Sequence, residues 1–517
     1  MNRHIPSIFN DVVGPVMRGP SSSHSAAALR IGRLCRDLAG GKARKVVVSY
    51  SQNDALATTH ESQGSDMGLK GGILGYEADD SRLLDAEAQL EQSGIDVLFQ
   101  VKDTGKNIAN LYQLELSGGE ENFQVEAVST GGGMIRILSI NGTEVNMEGD
   151  SYEILIWSSE KKLLEEIARS ASWADESLVH QVPEPFLALR SRRAPDQEWL
   201  TKTRQKPDIR LLRVLHPVLP VLSQKEGTVP FRNCQDLLVF NEKENLKPWE
   251  MALAYEAARG GIRPEEAWRM MEERYTVMRN AVEEGLKGTS YHDRLLPSQS
   301  PAYQEQMEKG KLSKDDALHR ITLYVTALME VKSSMGVIVA APTAGSCGTF
   351  PGAVLGLADS LDSSTDETVK ALLTGSLVGL FIAGASTFSA EIGGCQAECG
   401  AGAGMAAAAL VYLLGGSLEQ SMAAASMALQ NSLGMICDPI AARVEAPCLG
   451  KNVSSAVNAL SCANMLMAGY KELIPLDEVI ETMDRVGRSL PFELRCTALG
   501  GLSVTSSAKK LEKRLKK

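Results

Sequence analysis

The stretches AEIGGCQAECGAGAGMAAAAL (390–410) and QNSLGMICDPIAARVEAPCLGKN (430–452) contain four cysteines, three of which are candidate ligands. Cys395, Cys437 and Cys448 lie 42 and 11 residues apart, and each is next to Gly, Asp or Pro, where the backbone turns. Iron–sulfur clusters are commonly held by thiolates from such loops, with backbone N–H groups around the sulfurs. We therefore interpret the three cysteines as candidate ligands of a cluster with one open iron.

The chain has nine cysteines, so spacing alone leaves other ligand sets possible. It contains no C-x-x-C-x-x-C run, which argues against a ferredoxin-like electron carrier. Widely spaced thiolates are typical of an enzyme in which one iron stays free to act as a Lewis acid. Cys347 and Cys399 also lie in Gly-rich loops and are rival ligands, and buried unreactive thiols are the alternative to any cluster. Three further cysteines lie in helical stretches and are expected in the core: Cys35, Cys234 and Cys462.

The composition is that of an ordinary globular protein, since 44% of its 517 residues are hydrophobic and 23% are charged. The net charge of −11 repels phosphate backbones, so we expect no nucleic-acid partner. The N-terminal stretch MNRHIPSIFNDVVG has no apolar signal core. The apolar runs 371–388 and 404–416 are interpreted as buried helices rather than membrane spans, because the longer one carries Gly, Ser and Thr and lacks basic anchors. We expect a cytoplasmic protein with thiols or metal ligands rather than disulfides.

Residues 1–165 are predicted to form an α+β domain, because β-branched runs follow one another with few helices between them. The strand pattern occurs in ARKVVVSYSQ (43–52), DVLFQVKD (96–103), NFQVEAVSTGGGMIRILSINGTEV (122–145) and SYEILIW (151–157). Residues 166–228, rich in charge and proline, are predicted to be a linker with helical pieces. From 229 to 517, apolar residues recur at three- and four-residue spacing, which predicts helices. We thus expect an α+β N-terminal domain followed by an all-α, cluster-binding domain.

The stretch RGPSSSHS (18–25) leads into an Ala/Leu/Ile-rich helix. Ser21, Ser22 and Ser23 place hydroxyl groups beside the free N–H groups of a helix N-terminus, which suits an anion such as a substrate carboxylate. A well-capped helix without a ligand is the alternative interpretation.

Two histidines are candidate general bases. Of the seven histidines, only His24 and His60 lie in Gly/Ser-rich loops. A loop histidine whose pKa is near neutral can take up and return a proton, although a single histidine is more often structural. The glycine triplet of STGGGMIR (129–136) is interpreted as a tight turn or bulge, since no Lys-Ser/Thr follows it as in a phosphate loop.

Several separate motifs, in order along the chain, resemble the iron–sulfur-dependent L-serine dehydratases (L-serine ammonia-lyases). In the first part of the chain they are GPSSSH (19–24) and STGGGMIRILSINGTEV (129–145). In the helical part they are APTAGSCGTFPG (341–352), GGCQAECG (393–400), CDPIAARVEAPCLGKN (437–452) and LGGLSVT (499–505). The resemblance implies a [4Fe–4S] cluster with one open iron on Cys395, Cys437 and Cys448, and a serine loop at residues 21–24.

The implied activity is conversion of L-serine to pyruvate and ammonia by β-elimination, in a homo-oligomer that we expect to be a dimer. One departure from the family pattern leaves the substrate open. Many members carry a histidine in a G-H-x-T-D-like loop that is thought to supply the base, whereas SQGSD (62–66) has Gln63 and Gly64 there. Either His24 or His60 then acts as base, or the substrate is another β-hydroxy acid or a β-hydroxy or β-thiol amino acid, as in a cysteine desulfidase-like enzyme.

Two further features of some relatives are expected to be absent. Some members insert a C-terminal cysteine into the open iron, but this chain ends in lysines. No counterpart of an ACT-type regulatory domain is expected after residue 150. An alternative from another functional class is a non-catalytic iron–sulfur sensor.

Overall fold

The computed structural model of the chain describes residues 5–181, 183–223 and 228–515. The strands in these residues are β1 (Val16–Met17), β2 (Lys45–Ser51), β3 (Asp96–Lys102), β4 (Leu111–Ser117), β5 (Phe123–Gly131), β6 (Met134–Ile140), β7 (Thr143–Met147), β8 (Tyr152–Trp157), β9 (Glu176–His180), β10 (Phe186–Ser191), β11 (Leu211–Leu215) and β12 (Ile338–Val339). The helices are α1 (Ala27–Leu38), α2 (Leu56–Thr59), α3 (Ser65–Leu74), α4 (Ala86–Ser93), α5 (Lys161–Ser170), α6 (Gln197–Arg204), α7 (Cys234–Glu244), α8 (Pro248–Gly260), α9 (Pro264–Leu286), α10 (Ser300–Glu308), α11 (Asp316–Ser333), α12 (Thr349–Ser360), α13 (Thr365–Ala385), α14 (Ala390–Gly393), α15 (Cys399–Leu413), α16 (Leu418–Gln430), α17 (Cys448–Met467), α18 (Leu476–Ser489) and α19 (Ser506–Leu515).

A six-stranded sheet forms the centre of the N-terminal part, in the order β3-β2-β4-β5-β6-β7. All neighbouring pairs are antiparallel except β2 and β3, which run parallel. Val46, Val48 and Tyr50 alternate along β2 and are fully buried, in one hydrophobic cluster with residues of α1 and α3. The helices therefore cover one face of the sheet, and the predicted α+β class of this part is confirmed.

Glycines allow α3 to lie directly against the start of α1. A Cβ atom at Gly68 or Gly72 would overlap the carbonyl oxygens of Ser25 and Leu29, so only glycine permits this approach. As a result, the loop before α3 contacts the turn before α1, and the Ser25 hydroxyl donates a hydrogen bond of 3.1 Å to the carbonyl oxygen of Gln63.

A second, smaller sheet lies where the sequence predicts a linker. Its chain order is β8-α5-β9-β10-α6-β11, and its strand order is β11-β8-β10-β9, with every pair antiparallel. This is the βαββαβ topology of ferredoxin-like modules, to which ACT-type domains belong. A folded module of this topology therefore follows residue 150, where no counterpart of an ACT-type domain was expected. The strands from 166 to 228 escape sequence prediction because each has only five or six residues and charged or proline-containing turns separate them.

The small sheet is buried on both faces. Ile154 and Ile156 of β8 pack in one hydrophobic cluster with residues of α5 and α6. Leu155 and Trp157, on the opposite face, belong to the core of the six-stranded sheet. The segment 166–228 is thus largely folded against the N-terminal sheet rather than extended between two domains.

Helices make up most of the chain after residue 229, as predicted, and α15 lies at their centre. All of its residues from Cys399 to Val411 are buried, and α12, α13, α16 and α17 contact it. Small residues allow this packing, since a Cβ atom at Gly375 would lie 2.6 Å from the carbonyl oxygen of Met405. Among the described residues, α13 is long and apolar enough to cross a membrane, but 78% of that apolar window is buried inside the protein.

The N-terminal segment belongs to the helical core rather than to the sheet. Ile8 and Phe9 lie in the same hydrophobic cluster as the helices. Buried Glu256 of α8 accepts hydrogen bonds from the N–H of Ile8, at 2.7 Å, and from the hydroxyl of Ser7, at 2.5 Å. β1 then pairs antiparallel with β12. The chain thus leaves the helical part only immediately before the serine-rich turn. Because its first residues are packed among the helices, this segment fixes the two parts to each other.

Candidate active site

The three cysteines predicted as metal ligands lie at or near the starts of helical turns. Cys395 opens a 3₁₀ turn before α15, and Cys448 is the first residue of α17. Cys437 lies in the loop after α16 and forms an isolated β-bridge with Arg495. All three side chains are buried. Helix N-termini offer free N–H groups and the positive end of the helix dipole, both of which favour a thiolate.

The structure brings these thiols together. The Sγ atoms of Cys395 and Cys437 and a carboxylate oxygen of Glu398 lie within 4.8 Å of one another. Burial, and next the charge of Cys395, raises the pKa of Cys448. The ammonium group of Lys451 lies 3.8 Å from Sγ of Cys395 and supplies a positive charge beside the thiols. The residues of two separate sequence motifs thus meet in one buried site.

The donor set fits an iron–sulfur cluster. The pKa of Cys437 is raised, first by its contacts with the thiols of Cys395 and Cys496 and then by burial. Buried thiols this close together cannot all ionise unless a cation compensates their charge. A metal centre supplies that charge, and sets of soft thiolates select iron–sulfur clusters, zinc or copper(I). Cys395, Cys437 and Cys448 would hold the cluster.

The two rival cysteines have different surroundings. Sγ of Cys347 lies 3.8 Å from Sδ of Met329, and burial raises the pKa of this thiol to about 12. Cys399 is the first residue of α15, and burial, followed by the charge of Cys395, raises its pKa. The side-chain amide of Asn452 donates a hydrogen bond of 3.5 Å to Sγ of Cys399. Cys399 therefore lies close to the thiol of Cys395, whereas Cys347 packs against a methionine.

Cys496 also lies in the site, and the sequence pattern did not single it out. It is 5% exposed and packs with Cys395 and Cys437 in one small hydrophobic cluster. Its backbone N–H donates to the carbonyl oxygen of Cys437 at 3.2 Å. On its other side, Nε2 of Gln63 lies 3.6 Å from its Sγ. Its position three residues before the family-like stretch LGGLSVT was the available signal.

The three predicted serines lie at the interface between the sheet-containing and helical parts. Ser22 and Ser23 belong to a turn of π-helix that precedes α1, Ser21 is the extended residue directly before it, and all three side chains are buried. The Ser21 hydroxyl does not cap a backbone N–H but forms a hydrogen bond of 3.0 Å with Nδ1 of His24. The Ser22 hydroxyl accepts a hydrogen bond of 3.2 Å from the N–H of Ala344 in the helical part. The predicted capping role of Ser21 is thus replaced by a contact with histidine.

His24 is completely buried and both of its ring nitrogens have partners. Nδ1 contacts the Ser21 hydroxyl and lies 3.6 Å from Oε1 of Glu391. Nε2 lies 2.9 Å from the hydroxyl oxygen of Thr59. Burial lowers the pKa of His24, Glu391 opposes this effect, and nearby His60 adds to it. A largely neutral His24 therefore links the serine turn to α2.

His60 has a different environment. Its Nδ1 lies 2.9 Å from both carboxylate oxygens of Asp66, and its ring lies 4.8 Å from that of Tyr50. The side chain is 22% exposed. Within the described part of the chain, Nε2 of His60 has no hydrogen-bond partner. A carboxylate on Nδ1 favours the tautomer that leaves Nε2 free to accept a proton.

The loop of His60 is hydrogen-bonded to the loops that carry the thiols. The Thr58 hydroxyl donates to the carbonyl oxygen of Thr497 at 2.9 Å, and the Ser62 hydroxyl donates to that of Ala442 at 3.2 Å. Ala442 and Cys496 have φ angles of 57° and 58°, a left-handed conformation that is uncommon for residues other than glycine. Such backbone conformations concentrate at functional sites. Serines, histidines and thiols are therefore assembled in one region.

Fold and site together define a buried thiol centre in a helical domain, covered by hydroxyl- and histidine-bearing loops of an α+β part. Residues 243–503 match the family model described as "Serine dehydratase alpha chain". This match covers just over half of the chain and includes all three predicted cluster ligands. The chain belongs to the serine dehydratase alpha-chain family, and the family predicted from its motifs is confirmed.

Relatives of known name agree with this family. The probable L-serine dehydratase, alpha chain, of Bacillus subtilis is 35% identical over 285 residues, which are 55% of this chain and 95% of that protein. The L-serine dehydratase, alpha chain, of Peptoniphilus asaccharolyticus is 35% identical over 276 residues, or 53% and 94% of the two chains. The L-serine dehydratase TdcG of Escherichia coli is 35% identical over 239 residues, or 44% and 52%.

Proposed function

We propose that the protein is an iron–sulfur-dependent L-serine ammonia-lyase, which converts L-serine to pyruvate and ammonia. The main support is that the thiols of Cys395 and Cys437 lie together, that the charge of Cys395 helps to raise the pKa of Cys448, and that the loop of His60 is hydrogen-bonded to the residue after Cys496. The relatives named as L-serine dehydratases add support for the substrate. A [4Fe–4S] cluster bound by these three cysteines, with one iron available to substrate, is part of the proposal.

When bound, the cluster supplies a Lewis acid for the β-hydroxyl group, which is otherwise a poor leaving group. The side chains perform the remaining tasks. The hydroxyl and N–H groups of the turn at Ser21, Ser22 and Ser23 bind the substrate carboxylate. Loss of the α-proton and of the β-hydroxyl as water leaves an enamine. The enamine tautomerises to an imine, and water hydrolyses the imine to pyruvate and ammonia.

His60 is the base that we propose for the α-proton. Its Nε2 is unpaired among the described residues, and Asp66 orients its ring from the opposite nitrogen. A carboxylate partner also stabilises the imidazolium that forms when the proton is taken up. His24 is less suited to this role, because burial lowers its pKa and hydroxyl groups occupy both nitrogens. We assign His24 to positioning the serine turn.

A second candidate is the same elimination from another substrate, either a β-hydroxy acid or a β-thiol amino acid such as cysteine. The supporting observation is Gln63, which stands where many members carry a histidine and lies against the thiol of Cys496. A neutral amide cannot take up the α-proton at ordinary pH, so the surroundings of the reacting carbon differ from those in such members. The homodimer and the cytoplasmic location stay predictions.

Anaerobic purification, followed by reconstitution with iron and sulfide, tests the proposal. Ammonia and keto-acid release is then measured with L-serine, L-threonine, L-cysteine and D-serine. We expect a brown protein that releases pyruvate and ammonia fastest from L-serine. Preference for L-cysteine would favour the second candidate. A brown protein that releases ammonia from none of these compounds would contradict the enzyme and favour the iron–sulfur sensor.

A further inference from the structure

One group of L-serine has no partner so far in the proposed site, its α-ammonium group. The serine turn is proposed to bind the carboxylate, the cluster to bind the β-hydroxyl, and His60 to take the α-proton. The ammonium group carries a full positive charge and three N–H donors, which need acceptors when water is excluded. The residues that face it decide whether the site takes an amino acid or the hydroxy acid of the same shape.

Three residues with polar side chains lie together where the loop after β2 meets the start of β4 and the end of β5. The N–H groups of Asn110 and Leu111 donate hydrogen bonds to the carboxylate of Asp54. The N–H of Ser129 donates to the carbonyl oxygen of Asn110 at 3.2 Å. Among the described residues, Oδ2 of Asp54, Oδ1 and Nδ2 of Asn110 and Oγ of Ser129 are buried and have no hydrogen-bond partner. Buried polar groups are nearly always paired, so four unpaired atoms in one place indicate a polar ligand.

Asn110 is held in an uncommon backbone conformation. Its φ angle is 55°, in the left-handed region, and the residue is 1% exposed. Asparagine is among the few residues that tolerate this region, and such conformations concentrate at functional sites. Backbone hydrogen bonds to Asp54 and Ser129 fix the residue, so its side-chain amide stays available to a ligand.

Negative charge is enclosed here without a lysine or arginine. Burial raises the pKa of Asp54 to about 6, backbone N–H groups oppose this rise, and the charge of nearby Glu391 adds to it. Glu391 is itself 7% exposed. In the described part of the chain, neither carboxylate forms an ion pair with lysine or arginine. His24 lies 3.6 Å from Glu391, but burial keeps this histidine largely neutral. A buried carboxylate without a cation is costly, and a ligand that brings a cation removes that cost.

Contacts connect this region to the serine turn. A Cβ atom on Gly131, which ends β5, would lie 2.8 Å from the backbone nitrogen of Ser389. The Ser389 hydroxyl donates a hydrogen bond of 2.6 Å to Glu391, which is the neighbour of His24. Asp54 lies two residues before α2, whose last residue contacts Nε2 of the same histidine. The carboxylates and the serine turn therefore approach one buried histidine from different sides.

We infer that Asp54, Asn110 and Ser129 bind the α-ammonium group of the substrate and thereby select an amino acid over a hydroxy acid. This inference rests on the proposed function. The unpaired oxygens of the three side chains accept the N–H groups, and the ammonium charge compensates the buried carboxylate. A hydroxyl group in the same place brings no charge and only one donor. Since a charge-assisted hydrogen bond is strong, L-serine should bind about 10- to 100-fold more tightly than L-glycerate, the hydroxy acid of the same shape.

Calorimetry with the reconstituted variant His60→Asn tests the inference, because this variant should bind L-serine but turn it over slowly. L-Serine and L-glycerate are titrated into it and into the same protein with Asp54→Asn added. We expect tighter binding of L-serine in the first protein and loss of this preference in the second, with no weakening of L-glycerate. Asp103→Asn is the matched control, since Asp103 is exposed and bonds the N–H of Gly105 in its own loop. This control should keep the preference.

Equal affinities for the two compounds in His60→Asn would overturn the inference, and so would a preference that survives Asp54→Asn. Equal weakening of both compounds by Asp54→Asn would also contradict it and would indicate an inorganic cation at these oxygens. Binding of neither compound would likewise overturn the inference. Failure of wild-type protein with an intact cluster to release ammonia from L-serine would overturn the proposed function as well.

Ser129→Ala separates a binding role from a structural one. It removes a buried hydroxyl that has no partner among the described residues, so the melting temperature should stay the same or rise. We nevertheless expect KM for L-serine to rise severalfold, with little change in kcat or in the cluster spectrum. Asn110→Gly keeps the left-handed backbone but removes the amide, and should act in the same direction. A KM equal to that of wild type in both variants would overturn the inference.

Discussion

The hydroxyl group of Thr58, in the α+β part, donates a hydrogen bond of 2.9 Å to the carbonyl oxygen of Thr497, in the helical part. Thr497 directly follows Cys496, and Thr58 lies two residues before His60. One hydrogen bond thus joins the proposed base to the loop that lies beside the thiols. Contacts of this kind between the two parts fix the loop of His60 against the loops that carry the thiols.

Thr58→Val removes this hydrogen bond while nearly keeping the side-chain volume. We expect a clear loss of kcat/KM, because His60 is held less firmly, and a loss of only about 1 kcal/mol in the free energy of unfolding. Steady-state kinetics and urea denaturation measure the two effects. Thr201→Val is a matched control, since the Thr201 hydroxyl bonds a carbonyl oxygen of its own exposed helix, α6. Equal kcat/KM in the two variants would show that the interdomain bond does not position the site.

Cys437→Ser should abolish both the brown colour and the activity of reconstituted protein. The reason is that serine replaces one of three soft thiolate ligands with a hydroxyl group, which binds cluster iron poorly. Visible absorption and iron content measure the loss. Cys462→Ser is the control, because this buried cysteine lies in α17 next to the polar side chains of Asn431 and Asn458 and outside the thiol site. Retention of the cluster in Cys437→Ser would contradict the assignment of Cys437 as a ligand and would favour Cys399 instead.

His60→Asn should lower kcat by about 10²- to 10⁴-fold, the usual contribution of a general base, and leave the cluster spectrum unchanged. His216→Asn provides the comparison, because His216 also pairs with a carboxylate, that of Asp37, at 2.9 Å, but is exposed and lies outside the site. His24→Gln should instead weaken substrate binding, so its main effect is expected on KM. A large loss of kcat in His24→Gln with little loss in His60→Asn would exchange the two assigned roles.

Stability should fall when the pH drops below about 6.5, because burial lowers the pKa of His24 in the folded state from its ordinary value of 6.5. In that range the unfolded chain binds a proton at His24 and the folded protein does not, so protonation favours unfolding. The contribution is at most about 1.4 kcal/mol per pH unit, and Glu391 reduces it by attracting the proton in the folded state. Urea denaturation from pH 5 to 8 gives the free energy of unfolding of wild type and of His24→Gln. The difference between these two free energies should change below pH 6.5. If the free energies of unfolding of the two proteins change in parallel with pH, His24 is not buried in a neutral form.

Local patterns predict much of the site. Cys395, Cys437 and Cys448 are recognisable because each stands at a turn, where a thiol can be directed by the backbone. His24 and His60 are recognisable because they lie in loops of small residues. The alternation of buried residues in β2 and the helical spacing after residue 229 likewise follow from short-range periodicity. The roles of these residues stay predictions until the variants are made.

Other features depend on distant contacts and were not predictable in the same way. The small sheet of β8 to β11 consists of short strands that are stable only because both of its faces are covered. Gln63 and Cys496 are 433 residues apart in sequence, and no local pattern pairs them. The crossing of residues 5–17 into the helical core depends on buried Glu256, whose carboxylate accepts two hydrogen bonds from that segment.

The sequence by itself determined which chemical groups the protein possesses and the kind of element that carries each of them, because turns, helix starts and periodic apolar runs are local properties of the chain. Only the tertiary structure decided which groups share a site. Burial against α15, the glycine contacts between α1 and α3, and the hydrogen bonds of Thr58 and Ser62 act between segments that are remote in sequence. These contacts placed two further thiols, those of Cys399 and Cys496, beside Cys395 and Cys437, and the amide of Gln63 beside Cys496.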